Sequence, residues 1–244
     1  MAAVIWQVFA LWLAPELSVW PQSVALNGPE AQQQLLAQAA SESYQEDWTR
    51  AARWTSSNPG IAVVDAAGVV RPAGDGEAVI SASVQGLAAS TKVRVRNFGA
   101  AFTWSFRNHI IPVLTKAGCN SGACHGALAG KNGFKLTLRG YDPELDHDAL
   151  TRQSLGRRVS LPEPANSLML LKPTLAIPHG GGRRFEPGSL EYRIIAEWIA
   201  AGAPRPADSD PQVTVLEVFP SRAVLKTGAE QQLVVRAQYS DGEV

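Results

Sequence analysis

The strongest constraint on this chain is a change of hydrophobic period. Up to about residue 97, apolar residues come in short, alternating runs. Between 102 and 205 they recur every three to four residues, and after 213 alternation returns. A strand pattern and a helix pattern bury different faces, so the chain is expected to fold as a β block, a helical block and a second β block with separate cores. The two β blocks also resemble each other. Leu17-Ser-Val-Trp-Pro21 recurs as Leu216-Glu-Val-Phe-Pro220, and Leu26 through Gln32-Gln33-Gln34-Leu35 returns, with one residue inserted, as Leu225 through Gln231-Gln232-Leu233. Residues 213–244 supply chain for about two strands, too few to bury a sandwich core. The expectation is the truncated start of a second sandwich, within a fragment of a longer protein.

With 45% hydrophobic and 18% charged residues, the composition is that of an ordinary globular protein and argues against disordered, collagen-like and membrane-spanning classes. Lys plus Arg balances Asp plus Glu at 22 each, leaving no electrostatic case for nucleic acid or an anionic membrane surface as a partner. Residues 1–16 are a separate apolar leader. Its run over 2–14 is too short to cross a bilayer and fits the apolar region of an export signal, although no Lys or Arg precedes Arg50. An apolar first strand is the other reading, and both stay open.

Over 17–97, short β-type runs at 33–39, 52–55, 61–64, 69–70, 78–84 and 91–95 are separated by turn signals. Lys92-Val-Arg-Val-Arg96 alternates strictly, which requires one buried and one solvated face. Asp65-Ala-Ala-Gly68 between two Val pairs reads as a hairpin turn, and Trp54 as a core anchor. The spacing favours an all-β sandwich. Trp54-Thr-Ser-Ser57, the Val-Val-Asp-Ala-Ala-Gly-Val-Val hairpin and Gly76-Glu-Ala-Val-Ile80 resemble the bacterial immunoglobulin-like group 2 domain. That resemblance implies an exported or surface protein in which such domains act as spacers or adhesion modules, with cell-surface or glycan contacts through their loops.

In 102–205, Phe102, Phe106, Ile110, Val113, Leu114 and Ala117 share a helix face, with Pro112 opening or kinking that helix. Asp142-Pro143 starts a second helix through Leu145, Ala149 and Leu150. Asn166 caps a third, and Ser189 a fourth whose stripe is Leu190, Ile194, Trp198 and Ile199. This predicts a small all-α domain with long connections, whose middle something other than helix fills.

The chain has two cysteines, in Cys119-Asn-Ser-Gly-Ala-Cys124-His125. Two thiols with a histidine directly after the second suit covalent haem c: the thiols bond the vinyl groups and the imidazole reaches the iron. The common spacing is two residues, whereas here it is four. Zinc held by Cys119, Cys124, His125 and a distant histidine, a Cys119–Cys124 disulfide, and a redox-active dithiol are the rival readings of the motif alone.

A wider resemblance bears on that choice. Gly118-Cys-Asn-Ser-Gly-Ala-Cys-His-Gly126, Lys131-Asn-Gly-Phe134, Gly140-Tyr-Asp-Pro143, Ser167-Leu-Met-Leu-Leu-Lys-Pro173 and Pro178-His-Gly-Gly-Gly182, followed by Glu197-Trp-Ile-Ala-Ala-Gly202, resemble the cytochrome c-like domains of large exported planctomycete-type proteins. Those proteins also carry group 2 immunoglobulin-like domains. The resemblance implies one covalent haem c on Cys119 and Cys124, iron binding with His125 as proximal ligand, and a distal ligand from a loop before the last helix. His179 is expected there, with Met169 as the alternative. Arg157 and Arg158, or Arg183 and Arg184, are candidates to neutralise haem propionates, and Gly180-Gly-Gly182 lacks the flanking elements of a phosphate loop. His109 and His147 are expected to be ordinary.

The functional expectation is therefore a periplasmic or cell-surface haem-binding electron-transfer module with immunoglobulin-like spacers and an unnamed redox partner protein. No catalytic arrangement is recognisable in the sequence, so it is not read as an enzyme. Two alternatives stand beside it: a non-redox surface or adhesion protein with a Cys119–Cys124 disulfide, and the electron-entry module of a larger enzyme continuing beyond residue 244.

Overall fold

The computed structural model describes residues 16–40 and 44–242, so the leader expected over 1–16 lies, apart from Glu16, outside the described residues. The chain divides into two units, Met1–Phe102 with Val213–Val244, and Thr103–Gln212. Each has its own buried apolar cluster.

The first unit is built of strands β1 (Glu16–Trp20), β2 (Ser23–Asn27), β3 (Gln33–Gln34), β4 (Leu36–Ala40), β5 (Gln45–Asp47), β6 (Arg53–Ser56), β7 (Ala62–Val64), β8 (Val69–Pro72), β9 (Gly76–Val84) and β10 (Leu87–Arg96). They form sheets ordered β1-β4-β5, β2-β10-β9-β6 and β3-β8-β7. The alternation read over 92–96 is realised in β10: Thr91, Val93 and Val95 are buried while Lys92, Arg94 and Arg96 face solvent. On the neighbouring strand Ala78, Ile80 and Ala82 supply the facing core positions. β2 runs parallel to β10, setting Val24 beside Val93 and Leu26 beside Val95. The strands β1, β2 and β5 are absent from the sequence reading; β1 and β2 alternate buried and exposed positions over five residues each, and β5, Gln-Glu-Asp, is wholly polar.

Asp65–Gly68 does form the turn between β7 and β8. The Asp65 carboxylate accepts from the N–H groups of Ala67 and Val69 at 3.0 and 2.9 Å. Gly68 has φ +81°, and a Cβ there would lie 3.1 Å from the Trp54 ring, so both the turn and the packing call for glycine. Trp54 is half-buried against the core, its indole N–H donating to the Thr49 carbonyl at 3.0 Å.

The repeated segment contributes β11 (Val213–Phe219) and β12 (Val234–Tyr239), an antiparallel pair. Its Phe219 stacks on Trp20, the equivalent residue of the first copy, with ring centroids 4.1 Å apart. Asp47 of β5 accepts from the backbone N–H of Gln232 at 2.7 Å, and Lys226 pairs with Glu46 at 2.9 Å. Leu216, Leu233 and Val235 are exposed.

The second unit is helical with long loops. Ser105 accepts from the Asn108 N–H and starts a π turn, Phe106–Ile110, that runs into α1 (Ile111–Lys116). Pro112 sits in the first turn of α1 directly after the π turn, so the N–H it lacks falls where the helix passes from π to α hydrogen bonding. The Asp142 carboxylate caps α2 (Pro143–Thr151), α3 (Leu168–Leu171) is one short turn, and Ser189 caps α4 (Leu190–Ala200). The third cap is Ser167 rather than Asn166, which instead closes a 3-10 turn at Pro164–Asn166. Phe106, Ile110, Leu150, Leu170, Ile195, Trp198 and Ile199 form the core. Phe102, Leu145 and Leu190, expected on buried stripes, are instead exposed. Phe102 precedes the capped turn, Leu190 opens its helix, and α2 buries the face holding Asp146, His147 and Leu150. As a whole the molecule is mostly β-sheet with a helical unit between strands β10 and β11.

Trp198 is fully buried, touches Phe106 and His147 edge-on or tilted, and donates its N–H to the Pro204 carbonyl at 3.0 Å. Trp198→Ala is expected to cost about 3–5 kcal/mol of helical-unit stability. Urea denaturation followed by far-UV circular dichroism measures it.

Candidate functional site

After α1 the chain turns tightly on itself. The Cys124 N–H donates to the Ser121 carbonyl at 3.0 Å, and the His125 N–H to the Cys119 carbonyl at 2.9 Å. Asn120, buried, ties the loop back to α1 through Thr115 Oγ1 at 2.9 Å. Gly126 closes the turn, and any Cβ there would collide with the Asn120 carbonyl. The loop therefore holds both cysteine side chains and His125 on one wall of a cavity of about 240 Å³. For scale, an apolar cavity of about 150 Å³ suffices for benzene.

The remaining wall is largely apolar, with Leu114, Leu136, Leu150, Met169 and Phe185, while His179 enters from the loop after α3. Thus Cys119, Cys124, His125, His179 and Met169, separated by up to 60 positions in sequence, line one cavity. His109 and His147 do not. His109 Nδ1 accepts from the Ser105 N–H at 3.0 Å, and His147 Nε2 lies 2.9 Å from the Ala203 carbonyl inside the core.

Both cavity histidines are oriented the same way. His125 Nδ1 lies 3.1 Å from the Phe134 carbonyl, and His179 Nδ1 lies 2.8 Å from the Gly182 carbonyl. A carbonyl only accepts, so in the neutral ring Nδ1 carries the proton and Nε2 keeps its lone pair. That is the arrangement that orients ligating histidines. Burial, first, and then the nearby His179 lower the pKa of His125, favouring the neutral imidazole. The Phe134 carbonyl is itself held in place by the Lys131 N–H at 2.9 Å. A Cβ on Gly181 would stand 2.9 Å from the His179 ring, so glycine lets the imidazole fold against its own loop.

Cys119 and Cys124 are buried free thiols, so the Cys119–Cys124 disulfide of the alternative reading is not formed in this loop. Burial pushes the Cys119 thiol up to about 11, with the neighbouring Cys124 adding to the shift. Arg158, nearly buried, lies with its guanidinium 4.4 Å from the Phe134 ring centroid and donates to the carbonyls of Ala149, Gln153 and Gly133. Leu136 and Phe185 line the cavity outside every motif, and Lys131 lies in the Lys131–Phe134 motif with no role assigned to it from sequence, because these roles come from where loops pack and not from spacing.

Comparisons with known proteins reach the other unit. The model of the intimin immunoglobulin-like domain family matches residues 50–85, from just before β6 through β9. Among solved structures, the chain is similar to a mutant intimin from EHEC O157:H7, with 31% identity over 30% of this chain and a TM-score of 0.22. The match covers 35% of that intimin chain, so this chain spans about a third of its length. No curated protein matches. Residues 50–85 are therefore similar to part of the intimin immunoglobulin-like domain, which supports an immunoglobulin-like domain in this unit.

These findings correct the terms in which the chain was expected to be described. The descriptors haem binding, cytochrome c, metal-ion binding and electron transfer find no support, and similarity to an intimin-type immunoglobulin-like domain stands in their place. Among the described residues, no group of three or more His, Cys, Asp or Glu side chains is placed to hold a metal ion. No helix among them is long and apolar enough to cross a membrane. The family match lies outside Thr103–Gln212 and does not bear on the cavity.

The raised Cys119 pKa gives a direct check. In haem-free chain purified from a cytoplasmic host, alkylation of Cys119 by iodoacetamide should rise with pH towards a midpoint near 11, above the ordinary thiol value of 9.0. Peptide mass spectrometry of the alkylated sites reads it out.

Proposed function

We propose that this chain is an exported, non-enzymatic surface protein whose immunoglobulin-like modules act as spacers or contact modules, and whose helical unit carries one covalently attached haem. The surface part of the reading is supported by the intimin-type family match. The cofactor part is supported by one observation above all: two free thiols and two Nδ1-pinned imidazoles face the same apolar cavity.

The donor set fits the group. A porphyrin supplies four of the six ligands of its iron, so the protein needs at most two, and a cluster of three or more is not required of it. His125 and His179 would be the two residues that hold the iron. Met169, on the short helix α3, lines the same cavity as core filling. Cys119 and Cys124 would each add their S–H across one vinyl group. Each addition would break the S–H bond and the vinyl π bond and form one C–S and one C–H bond, with no net change of oxidation state. When bound, the group supplies a redox-active iron. The chain itself contributes orientation through the two backbone carbonyls and exclusion of water through Leu114, Leu136 and Phe185.

The ligand assignment is tested in chain exported by a host able to attach haem covalently. His179→Ala should convert a six-coordinate low-spin spectrum to a high-spin one, whereas Met169→Leu should leave it unchanged. The reverse pattern makes Met169 the ligand, and an absence of haem in the unsubstituted chain removes the cofactor reading. Surface display is tested separately, by protease accessibility of the chain on intact cells.

A further inference from the structure

The structure assigns Lys131 and Arg157 as a cationic clamp for the carboxylates of the cavity's ligand, so that the site selects an apolar body with an anionic edge. This inference rests on the haem reading, and names the part of the chain that would hold the two propionates. Four cationic residues line the cavity, Lys131, Arg157, Arg158 and Lys172, and no Asp or Glu does. Two of the four are already engaged. Arg158 is nearly buried and directed at backbone carbonyls, and Lys172 Nζ donates to the Pro178 carbonyl at 3.0 Å. Of the other arginines considered from sequence, Arg183 pairs with Glu186 at 2.8 Å and Arg184 turns to the Ala117 carbonyl at 3.4 Å.

Among the described residues, the side chains of Lys131 and Arg157 have neither a hydrogen bond nor an ion pair within the protein. Arg157 is moreover close enough to Arg158 to oppose its charge, secondary to burial. Adjacent guanidinium groups at the rim of an apolar cavity repel each other unless an anion lies between or beside them. A carboxylate can meet Arg157 through two parallel N–H donors, and Lys131 supplies a point charge for a second. The sequence offers Arg157, Arg158, Arg183 and Arg184 as equals. Geometry selects the first and adds Lys131.

The test uses the full chain carrying Cys119→Ala and Cys124→Ala, so that affinity is not masked by covalent bonds. It is titrated with haem and with haem dimethyl ester, which lacks the two charges. The free diacid is expected to bind about tenfold tighter, a difference of about 1.4 kcal/mol. Lys131→Ala with Arg157→Gln should bring the two affinities to within about twofold without weakening the ester, while Arg157→Lys should keep part of the preference. Circular dichroism verifies that each variant is folded. Equal binding of diacid and ester by the unsubstituted rim, or a preference that survives its loss, overturns the clamp and leaves the haem reading standing. Failure of both forms to bind overturns the clamp, while the haem reading is decided by the haem content of the exported, unsubstituted chain.

Discussion

The site depends on the collapse of the 118–126 loop onto its own backbone. The His125 N–H to Cys119 carbonyl bond and the absence of a Cβ at Gly126 bring two thiols and an imidazole to one wall without a helix or strand to carry them. Such a loop leaves few backbone groups unpaired, since Asn120 bonds α1 and its carbonyl accepts from the Arg139 N–H at 3.1 Å. The rest of the cavity is assembled around that wall. The Lys131–Phe134 turn supplies the carbonyl that fixes the His125 ring, and α3 and the following glycine loop bring Met169 and His179.

The two units use the same physical rule at different periods. In β10 the side chains alternate, so Val93 and Val95 reach the core while Lys92 and Arg94 stay wet. In α4 the buried positions Ile194, Ile195, Trp198 and Ile199 make one stripe. The helical core is small for its length of chain, since α1, α2 and α3 are short and loops close one side of the cavity. Burial raises the Cys119 pKa and lowers that of His125, so both are held in their neutral forms near neutral pH.

Much of the fold was legible where spacing carries the signal. The Asp65–Gly68 turn, the alternation of β10, the Asp142 and Ser189 caps and the α4 stripe follow directly from residue pattern. Polar β5 was not legible, because its strand state comes from bonding to β4 and to the repeated segment. Phe102 and Leu190 mislead for a related reason, since periodicity does not say where a helix begins. At the site, Cys119, Cys124, His125 and His179 could be singled out from local motifs. Lys131 and the choice of Arg157 over its neighbours required knowing which cations already have partners. The immunoglobulin-like character of the first unit was legible in the Trp54 and Val-Val-Asp-Ala-Ala-Gly-Val-Val segments, and the family match falls on those same residues.

The most direct test of the account is the intact mass of the chain after export by a host able to attach haem, followed by thiol counting under denaturing conditions. The account predicts a polypeptide heavier by one haem, with neither Cys119 nor Cys124 open to alkylation. A mass equal to the polypeptide alone, with both thiols alkylated, would contradict it and leave the helical unit as a structural insert in a surface protein.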